Sequence, residues 1–206
     1  MENFYKSIIK TIEELYYESS KDPDIDLFRI VDLIHSVHDG QLENKLWLAD
    51  ELIPLLDNVV TRIVILGGWY GLQSAILRDR DIRLSIENVD LDPVCKKIGQ
   101  RIVKDATFKT RDGLDMFFEK KIYDHDCVIC TACEHIDRDD LIMTLDSKDK
   151  KTMVCLQSNN YFSVDSHINC SENLDEFVSY LPLKNIMYAG TKPHGKKYDR
   201  FMVIGR

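Results

Sequence analysis

The sequence predicts an α/β protein in which a mostly parallel sheet of seven strands ends in an antiparallel hairpin and is preceded by a helical cap. The chain has 206 residues, of which 44% are hydrophobic, so it can bury one substantial core. From residue 59 onwards, short apolar runs alternate with helical stretches, a pattern typical of parallel strands covered by helices. The last two apolar runs have no helix between them, which indicates the hairpin.

The N-terminal segment, residues 1–58, is predicted to be helical because its apolar residues recur at spacings of three and four. These positions are Phe4, Ile8, Ile12, Leu15 and Tyr16, then Leu27, Ile30, Val31 and Ile34, then Leu42, Leu46 and Leu52. We place breaks at residues 22–24 and at the Asp39-Gly40 pair, and we expect Pro54 to end the third helix. The first 60 residues hold 13 acidic and five basic side chains, so the outer face of this cap should be acidic.

The second segment, residues 59–206, is predicted to form the sheet domain. We expect strands at residues 62–66, 84–89, 107–110, 126–131 and 152–156, and helices at 72–78, 93–104, 113–118, 139–145 and 174–180. Runs at 185–189 and 201–204, joined by a turn through 190–197, form the predicted hairpin. In such a sheet, ligands bind beyond the carboxyl ends of the strands, so the loops that follow the strands are the candidate site.

Composition and charge narrow the possible partners and location. The formal net charge is −8 at pH 7, so nucleic acid is a possible partner that the charge does not indicate, although residues 184–206 are locally basic. No apolar run of about 18 residues occurs, and the first residues lack the apolar core of a signal peptide. We therefore expect a cytoplasmic protein with reduced thiols and no membrane partner, and leave the oligomeric state open.

The loop after the first predicted strand is rich in glycine and leads directly into a helix. Its residues are Gly67, Gly68, Trp69, Tyr70 and Gly71. Glycine at positions 67 and 71 lets the backbone turn sharply and approach a ligand, while the amides of the next helix point towards it. The alternative is a glycine turn with no ligand.

Acidic residues follow the second and third predicted strands. Asp90 lies about 20 residues beyond the glycine loop, where a carboxylate can accept hydrogen bonds from both hydroxyls of a ribose. Asp92, which precedes Pro93, is instead expected to cap the following helix. Asp112 follows the third strand, and its carboxylate could accept a hydrogen bond from the exocyclic amine of a purine.

These motifs together resemble the class I S-adenosylmethionine-dependent methyltransferases over roughly residues 59–206. The matching segments are GGWYG at 67–71, VDLDP at 89–93, RDG at 111–113 and CTACEHI at 130–136. The resemblance implies S-adenosylmethionine as the cofactor, with Gly67 and Gly71 around its methionine part, Asp90 on its ribose and Asp112 on its adenine. The other expected cofactor contacts within these motifs are Gly68, Trp69, Leu91, Gly113 and Thr131.

Departures from the family pattern bear on the reaction. Trp69 stands where the family usually has a glycine, and Ile65 stands where it often has an acid. The amino-acid end of the cofactor is therefore expected to be held in a different way. No DPPY or NPPY follows the fourth strand, which argues against the common amino-group methyltransferases of DNA.

The loop after the fourth predicted strand contains the candidate catalytic residues, Glu134 and His135. The pair is similar to one found in methyltransferases that act on small-molecule hydroxyls and on some RNA ends. A carboxylate beside an imidazole could take a proton from the attacking nucleophile. We therefore predict methyl transfer to a small-molecule or nucleotide-bearing acceptor. The alternative is that Glu134 only orients the loop and His135 is a partly exposed side chain.

The fifth loop, which follows the fifth predicted strand, is the candidate acceptor site. Asn159, Asn160, Tyr161 and His167 offer amide, hydroxyl and imidazole groups that suit a polar substrate, and His194 could face the same opening. The alternative is turn chemistry for the asparagines and a surface position for the histidines.

A resident metal is not expected. Cys127, Cys130 and Cys133 have a ligand-like spacing, but side chains alternate along a strand, so Cys130 should point away from the other two. We predict buried core cysteines. A metal held by Glu134, His135, His167 and His194 is the alternative.

The same residues bear on other functions. The chain lacks the lysine that a P-loop ATPase requires, and it lacks the GxSxG motif of a serine hydrolase. Transfer of the aminocarboxypropyl group of the same cofactor remains an alternative because the first loop is irregular. The other alternative is a partner subunit that binds S-adenosylmethionine without turnover.

Overall fold

The computed structural model describes residues 2–22, 24–56, 62–119 and 124–206, and it contains one seven-stranded sheet. The strands are β1 (Arg62–Leu66), β2 (Ser85–Asp90), β3 (Thr107–Thr110), β4 (Cys127–Cys130), β5 (Met153–Asn159), β6 (Ile186–His194) and β7 (Tyr198–Gly205). Their order is β3-β2-β1-β4-β5-β7-β6. Strands β1 to β5 are parallel, and β7 runs antiparallel between β5 and β6. This arrangement confirms the predicted fold class.

Helices cover both faces of the sheet. The described helices are α1 (Glu2–Glu18), α2 (Leu27–His35), α3 (Asp39–Leu52), α4 (Leu72–Arg80), α5 (Pro93–Ile102), α6 (Asp115–Phe118), α7 (Arg138–Asp146) and α8 (Leu174–Tyr180). Short 3-10 turns follow α3 at Ile53–Leu55 and β4 at Cys133–His135. No helix within the described ranges has the length and apolar character needed to cross a membrane.

The N-terminal helices share one core with the sheet. Leu15, Leu33 and Leu48 are fully buried in the same cluster as Ile63 and Ile129 of the central strands. The opposite face of the sheet packs in a second cluster against α7 and α8. Helices α1 to α3 are therefore packed onto the face that also carries α4 and α5. The predicted boundary between residues 58 and 59 lies outside the described residues.

Ion pairs between α1 and α5 support this packing at the surface. Arg101 Nη2 lies 3.0 Å from Glu18 Oε2, and Lys97 pairs with Asp22 just beyond α1. Partly exposed pairs of this kind contribute at most about 1 kcal/mol each, so the buried apolar residues hold the helices in place.

Several predicted boundaries differ from the structure. The hairpin strands are longer than predicted, because β6 and β7 pair from residue 186 to residue 205 and leave only 195–197 as the turn. Asp39 and Gly40 form the first turn of α3 and not a break, because the His38 ring accepts a hydrogen bond from the Gly40 amide at 3.0 Å and caps the helix. Strand β5 continues to Asn159 because β7 pairs with it as far as Arg200, so residues 157–159 belong to a strand and not to a loop.

The cysteines are buried, as predicted, and Cys130 points away from Cys127, as predicted, but not away from Cys133. Cys127 packs in the core that contains the N-terminal helices, whereas Cys130 and Cys133 both pack in the opposite core. The Cys133 thiol lies 3.7 Å from the Cys130 carbonyl oxygen. The prediction that Cys130 points away from Cys133 is therefore wrong, because Cys133 lies in the 3-10 turn after β4, where strand alternation no longer applies.

Candidate functional site

Two adjoining cavities lie at the carboxyl ends of the parallel strands. The first cavity has a volume of ≈ 520 Å³ and extends from the glycine loop to β5 and β7. The second cavity, of ≈ 440 Å³, lies over the ends of β2 and β3. Both are lined by Gly67, Asp90, Ala132 and His135. One elongated ligand could therefore occupy both.

The glycine loop is held in an unusual backbone conformation next to Asp90. Gly67 and Gly71 have φ angles of 64° and 88°, and Trp69 between them has a φ of 48°. The Trp69 amide donates to Asp90 Oδ2 at 3.0 Å. A Cβ on Gly67 would meet no atom of the described residues within 4 Å, so this residue leaves open space where a ligand can approach the backbone.

The N-terminal helices fasten this loop from the other side. Asp32 of α2 accepts hydrogen bonds at Oδ2 from Trp69 Nε1 at 3.0 Å and from the Tyr70 hydroxyl at 2.8 Å. Burial and the Asp32 carboxylate raise the pKa of Tyr70, so this hydroxyl stays protonated and donates. Trp69 therefore lies in a contact between cap and sheet that a glycine could not make.

The second cavity brings together the residues predicted to contact a nucleoside. Leu91, Asp112 and Gly113 line it together with Asp90. Asp112 Oδ1 accepts a hydrogen bond from the Leu114 amide at 2.8 Å, which orders the turn that precedes α6. Asp90 likewise accepts from the Asp92 amide at 3.0 Å, so both acids are oriented by their own loops.

A buried charge pair forms the floor of the first cavity. Glu134 is 2% exposed, and its Oε1 accepts from Arg200 Nη2 at 3.1 Å and from Asn159 Nδ2 at 2.7 Å. Arg200 also donates to the Thr131 carbonyl at 3.0 Å. Glu134 Oε2 has no hydrogen-bond partner among the described residues, and Glu134 lines the cavity. An unsatisfied buried carboxylate oxygen is costly, so it indicates a ligand that donates a hydrogen bond there.

The histidines of the site have a defined tautomer. His135 Nδ1 lies 3.0 Å from the Ser166 carbonyl, and His167 Nδ1 lies 2.8 Å from the Tyr161 carbonyl. A carbonyl only accepts, so Nδ1 carries the hydrogen in each ring and Nε2 is free to act as a base or ligand. The two ring centroids are 4.7 Å apart.

The same histidines form the one group with metal-ligand chemistry that the described residues show. Glu134, His135 and His167 each offer a ligand atom, and these atoms lie within 4.8 Å of one another. His194, the fourth predicted member, instead stacks on Tyr198 with ring centroids 4.6 Å apart.

The predicted acceptor residues divide into two groups. Asn159, Tyr161 and His167 line the first cavity. Asn160 faces the hairpin, where its Oδ1 accepts from the Asp199 amide at 2.7 Å. Asn160 is therefore placed to hold β7 against the fifth loop, whereas Tyr161 stacks on Tyr198 beside the cavity.

Lys45, Asp32 and Arg200 are site residues that sequence reasoning missed. Lys45 of α3 donates from Nζ to Thr131 Oγ1 at 2.6 Å and lines the first cavity. The helical spacing in the sequence could have identified Lys45. It is in helical phase with Leu48 and Leu52, which are fully buried, so it belongs to the inner face of the cap.

Comparisons with known proteins give a likeness in structure alone. No protein-family model matches the sequence, and a search of curated proteins finds no significant match. The plantazolicin methyltransferase BpumL, solved with SAH, is 13% identical with a TM-score of 0.57, over 100% of this chain and 98% of BpumL. The N-methyltransferase NodS from Bradyrhizobium japonicum WM9 is 10% identical with a TM-score of 0.61, over 83% and 98% of the two chains. MtNAS, solved with MTA and tNA, is 14% identical with a TM-score of 0.54, over 98% and 70%.

At these identities the comparisons show the fold. The chain has the α/β fold of the class I methyltransferases, as its motifs predicted.

Proposed function

We propose that the protein transfers a methyl group from S-adenosylmethionine to a small-molecule or nucleotide-bearing acceptor. The observation that carries this proposal is the junction of the two cavities at Gly67 and Asp90, with nucleoside-type residues on one side and proton-accepting residues on the other. The fold, which is shared with BpumL and NodS, supports the same reaction class.

The residues present fit the cofactor. Gly67 leaves open space beside the backbone. Each oxygen of Asp90 accepts one backbone hydrogen bond, so each keeps capacity for a ribose hydroxyl. Asp112 and Leu91 line the cavity where an adenine would lie. When bound, S-adenosylmethionine supplies a methyl group on a positively charged sulfur.

The acceptor half of the first cavity is built for a group that loses a proton. Glu134 Oε2 is placed to accept a hydrogen bond from the acceptor, because its other oxygen is held by Arg200 and Asn159. His135 presents Nε2 as the base, because its Nδ1 hydrogen is directed at the Ser166 carbonyl. His167 and Tyr161 line the acceptor side of the same cavity. Methyl transfer chiefly requires two reactants held in line, so these residues act by positioning as much as by proton transfer.

The test is transfer of a labelled methyl group from S-adenosylmethionine into fractionated metabolites and RNA, with identification of the by-product. Methyl transfer releases S-adenosylhomocysteine. If the protein binds S-adenosylmethionine but no fraction becomes labelled, the result would favour a partner subunit that binds the cofactor without turnover.

Aminocarboxypropyl transfer is the second candidate. It is favoured by the likeness to MtNAS in complex with MTA and by the departure of the first loop at Trp69. Release of methylthioadenosine in place of S-adenosylhomocysteine would identify this reaction and overturn the methyl-transfer proposal.

A further inference from the structure

Lys45 brings a cation into the first cavity. It extends from the inner face of α3, and its Nζ donates to the Thr131 hydroxyl at 2.6 Å. Among the residues that the structure describes, no carboxylate lies within ion-pair distance of this ammonium group. A partly buried ammonium that has only a neutral hydroxyl as its partner is poorly compensated, which indicates that a ligand supplies the anion.

The charges around Lys45 favour an anion over a cation. Arg200 and Glu134 are paired at 3.1 Å and neutralise each other. Lys45 then leaves this part of the cavity with one net positive charge. A divalent cation held by Glu134 and the neighbouring histidines would add to that charge, whereas a carboxylate would balance it.

Lys45 lies between the loop that follows β4 and the glycine loop that follows β1. Thr131 directly follows β4, whose last residue, Cys130, is paired with Leu66 at the end of β1. Gln73, in the first turn of α4, donates to the Lys45 carbonyl at 3.3 Å and ties α3 to the helix that follows the glycine loop. Lys45 thus reaches the strand ends beside the loop at 67–71.

Three backbone amides of the first loop are already engaged, and one of them, the Gly71 amide, donates to the Gly68 carbonyl at 3.0 Å. The Trp69 amide already donates to Asp90, and the Gly68 amide donates to the Val89 carbonyl at 3.1 Å. A ligand that lies along this loop with a carboxylate at its end therefore needs a donor from elsewhere. Lys45 supplies that donor from the N-terminal helices.

We propose that Lys45 binds the α-carboxylate of the methionine part of S-adenosylmethionine. This inference rests on the proposed function, because it names the residue that holds the amino-acid end of the same cofactor. It also assigns a role to the N-terminal helices, since α3 then completes a cofactor site that the sheet domain alone leaves open.

The acid–base behaviour of Lys45 agrees with this role. Burial, with a further contribution from Arg200, lowers the pKa of Lys45 to about 8, while Glu134, Cys130 and Cys155 act in the opposite direction. Binding of a carboxylate favours the charged form and raises this pKa again. The affinity of the wild type for S-adenosylmethionine should therefore fall as the pH rises above about 8, and a variant without the ammonium should lack this part of the pH dependence.

The test compares two ligands that differ only in the carboxylate, S-adenosylmethionine and decarboxylated S-adenosylmethionine. Their dissociation constants are measured by calorimetry for the wild type and for Lys45→Gln, which keeps a donor for Thr131 but removes the charge. Lys192→Gln is the matched control, because Lys192 donates to the Glu43 carbonyl at 3.1 Å from the exposed hairpin and does not line the cavity. Thermal unfolding verifies that each variant is folded.

The wild type and Lys192→Gln should bind S-adenosylmethionine about 10- to 100-fold more tightly than the decarboxylated ligand, which is the worth of one charged hydrogen bond. Lys45→Gln should lose most of this preference. A folded Lys45→Gln with the full wild-type preference would overturn the inference, as would a wild type that binds both ligands equally. A wild type that binds neither ligand would instead refute the proposed function.

Discussion

Asp90→Asn is the substitution that separates a ligand-binding carboxylate from a loop-capping one. The carboxylate accepts two backbone hydrogen bonds, from the Trp69 amide at Oδ2 and from the Asp92 amide at Oδ1, each at 3.0 Å. An asparagine is isosteric but has one acceptor oxygen, so it keeps one of these bonds and turns an NH₂ group towards the other amide. The same loss of an acceptor removes one of the two hydrogen bonds that a carboxylate can accept from the hydroxyls of a ribose.

The expected magnitudes follow from these contacts. Loss of one hydrogen bond to a charged acceptor costs about 1.5–3 kcal/mol when the group is buried. Asp90 is only half-buried, so water recovers part of this loss, and we expect unfolding to become easier by about 1–2 kcal/mol. For a chain of this length that lowers Tm by roughly 2–8 °C. The affinity for S-adenosylmethionine should fall about 10- to 100-fold, because the lost ribose bond is charge-assisted.

The assay is calorimetry with S-adenosylmethionine, and Asp92→Asn is the control. Asp92 lies in the same loop and its Oδ1 caps α5 by accepting from the Val94 amide at 2.9 Å, a role that asparagine also performs. Asp92 Oδ2 also pairs with Arg29 at 2.5 Å, and loss of this partly exposed ion pair should cost at most about 1 kcal/mol of stability. Asp92 lines neither cavity, so Asp92→Asn should leave the affinity within about twofold of the wild type. A folded Asp90→Asn that binds as tightly as the wild type would refute the reasoning, and so would an equal loss in both variants.

Two further predictions concern the loops beside Asp90. Glu134→Gln and His135→Ala should each lower kcat by about 10²-fold or more while changing the affinity for S-adenosylmethionine little, and a collapse of that affinity in either variant would make the residue structural. Gly67→Ala should weaken binding of S-adenosylhomocysteine, because its Cβ enters open space beside the cavities, at a cost in stability of only about 1 kcal/mol. Gly71→Ala should mainly lower Tm, because its Cβ would lie 2.7 Å from the Phe108 ring, and equal effects of the two substitutions on binding would contradict this division.

The features that were predictable from the sequence are encoded by neighbouring residues. The strands and the glycine loop follow from the apolar runs and from the glycines at 67 and 71, and each of these signals lies within a few residues of the structure it specifies. Asp90 also lies next to the loop, as the prediction required, since it bonds to Trp69 only 21 residues away. Local patterns were sufficient for the fold class and for the placement of Asp90 and Asp112 beside one cavity.

The remaining features depend on contacts between distant parts of the chain. Lys45 meets Thr131 across 86 residues, and Arg200 meets Glu134 across 66. No spacing pattern encodes such pairs. The sequence therefore predicted Glu134 and His135 as site residues, but it did not predict that Arg200 and Asn159 hold the Glu134 carboxylate. The orientation of Cys133 was missed for a different reason, because a 3-10 turn replaced the strand on which the alternation argument depended.

The central claim is that one S-adenosyl ligand lies across the two cavities, and a crystal structure with S-adenosylhomocysteine tests it most directly. The account predicts the ribose hydroxyls within hydrogen-bond distance of Asp90, the adenine beside Asp112 and the amino-acid end towards Lys45. A ligand bound elsewhere on the protein, or a nucleoside whose ribose does not contact Asp90, would contradict it.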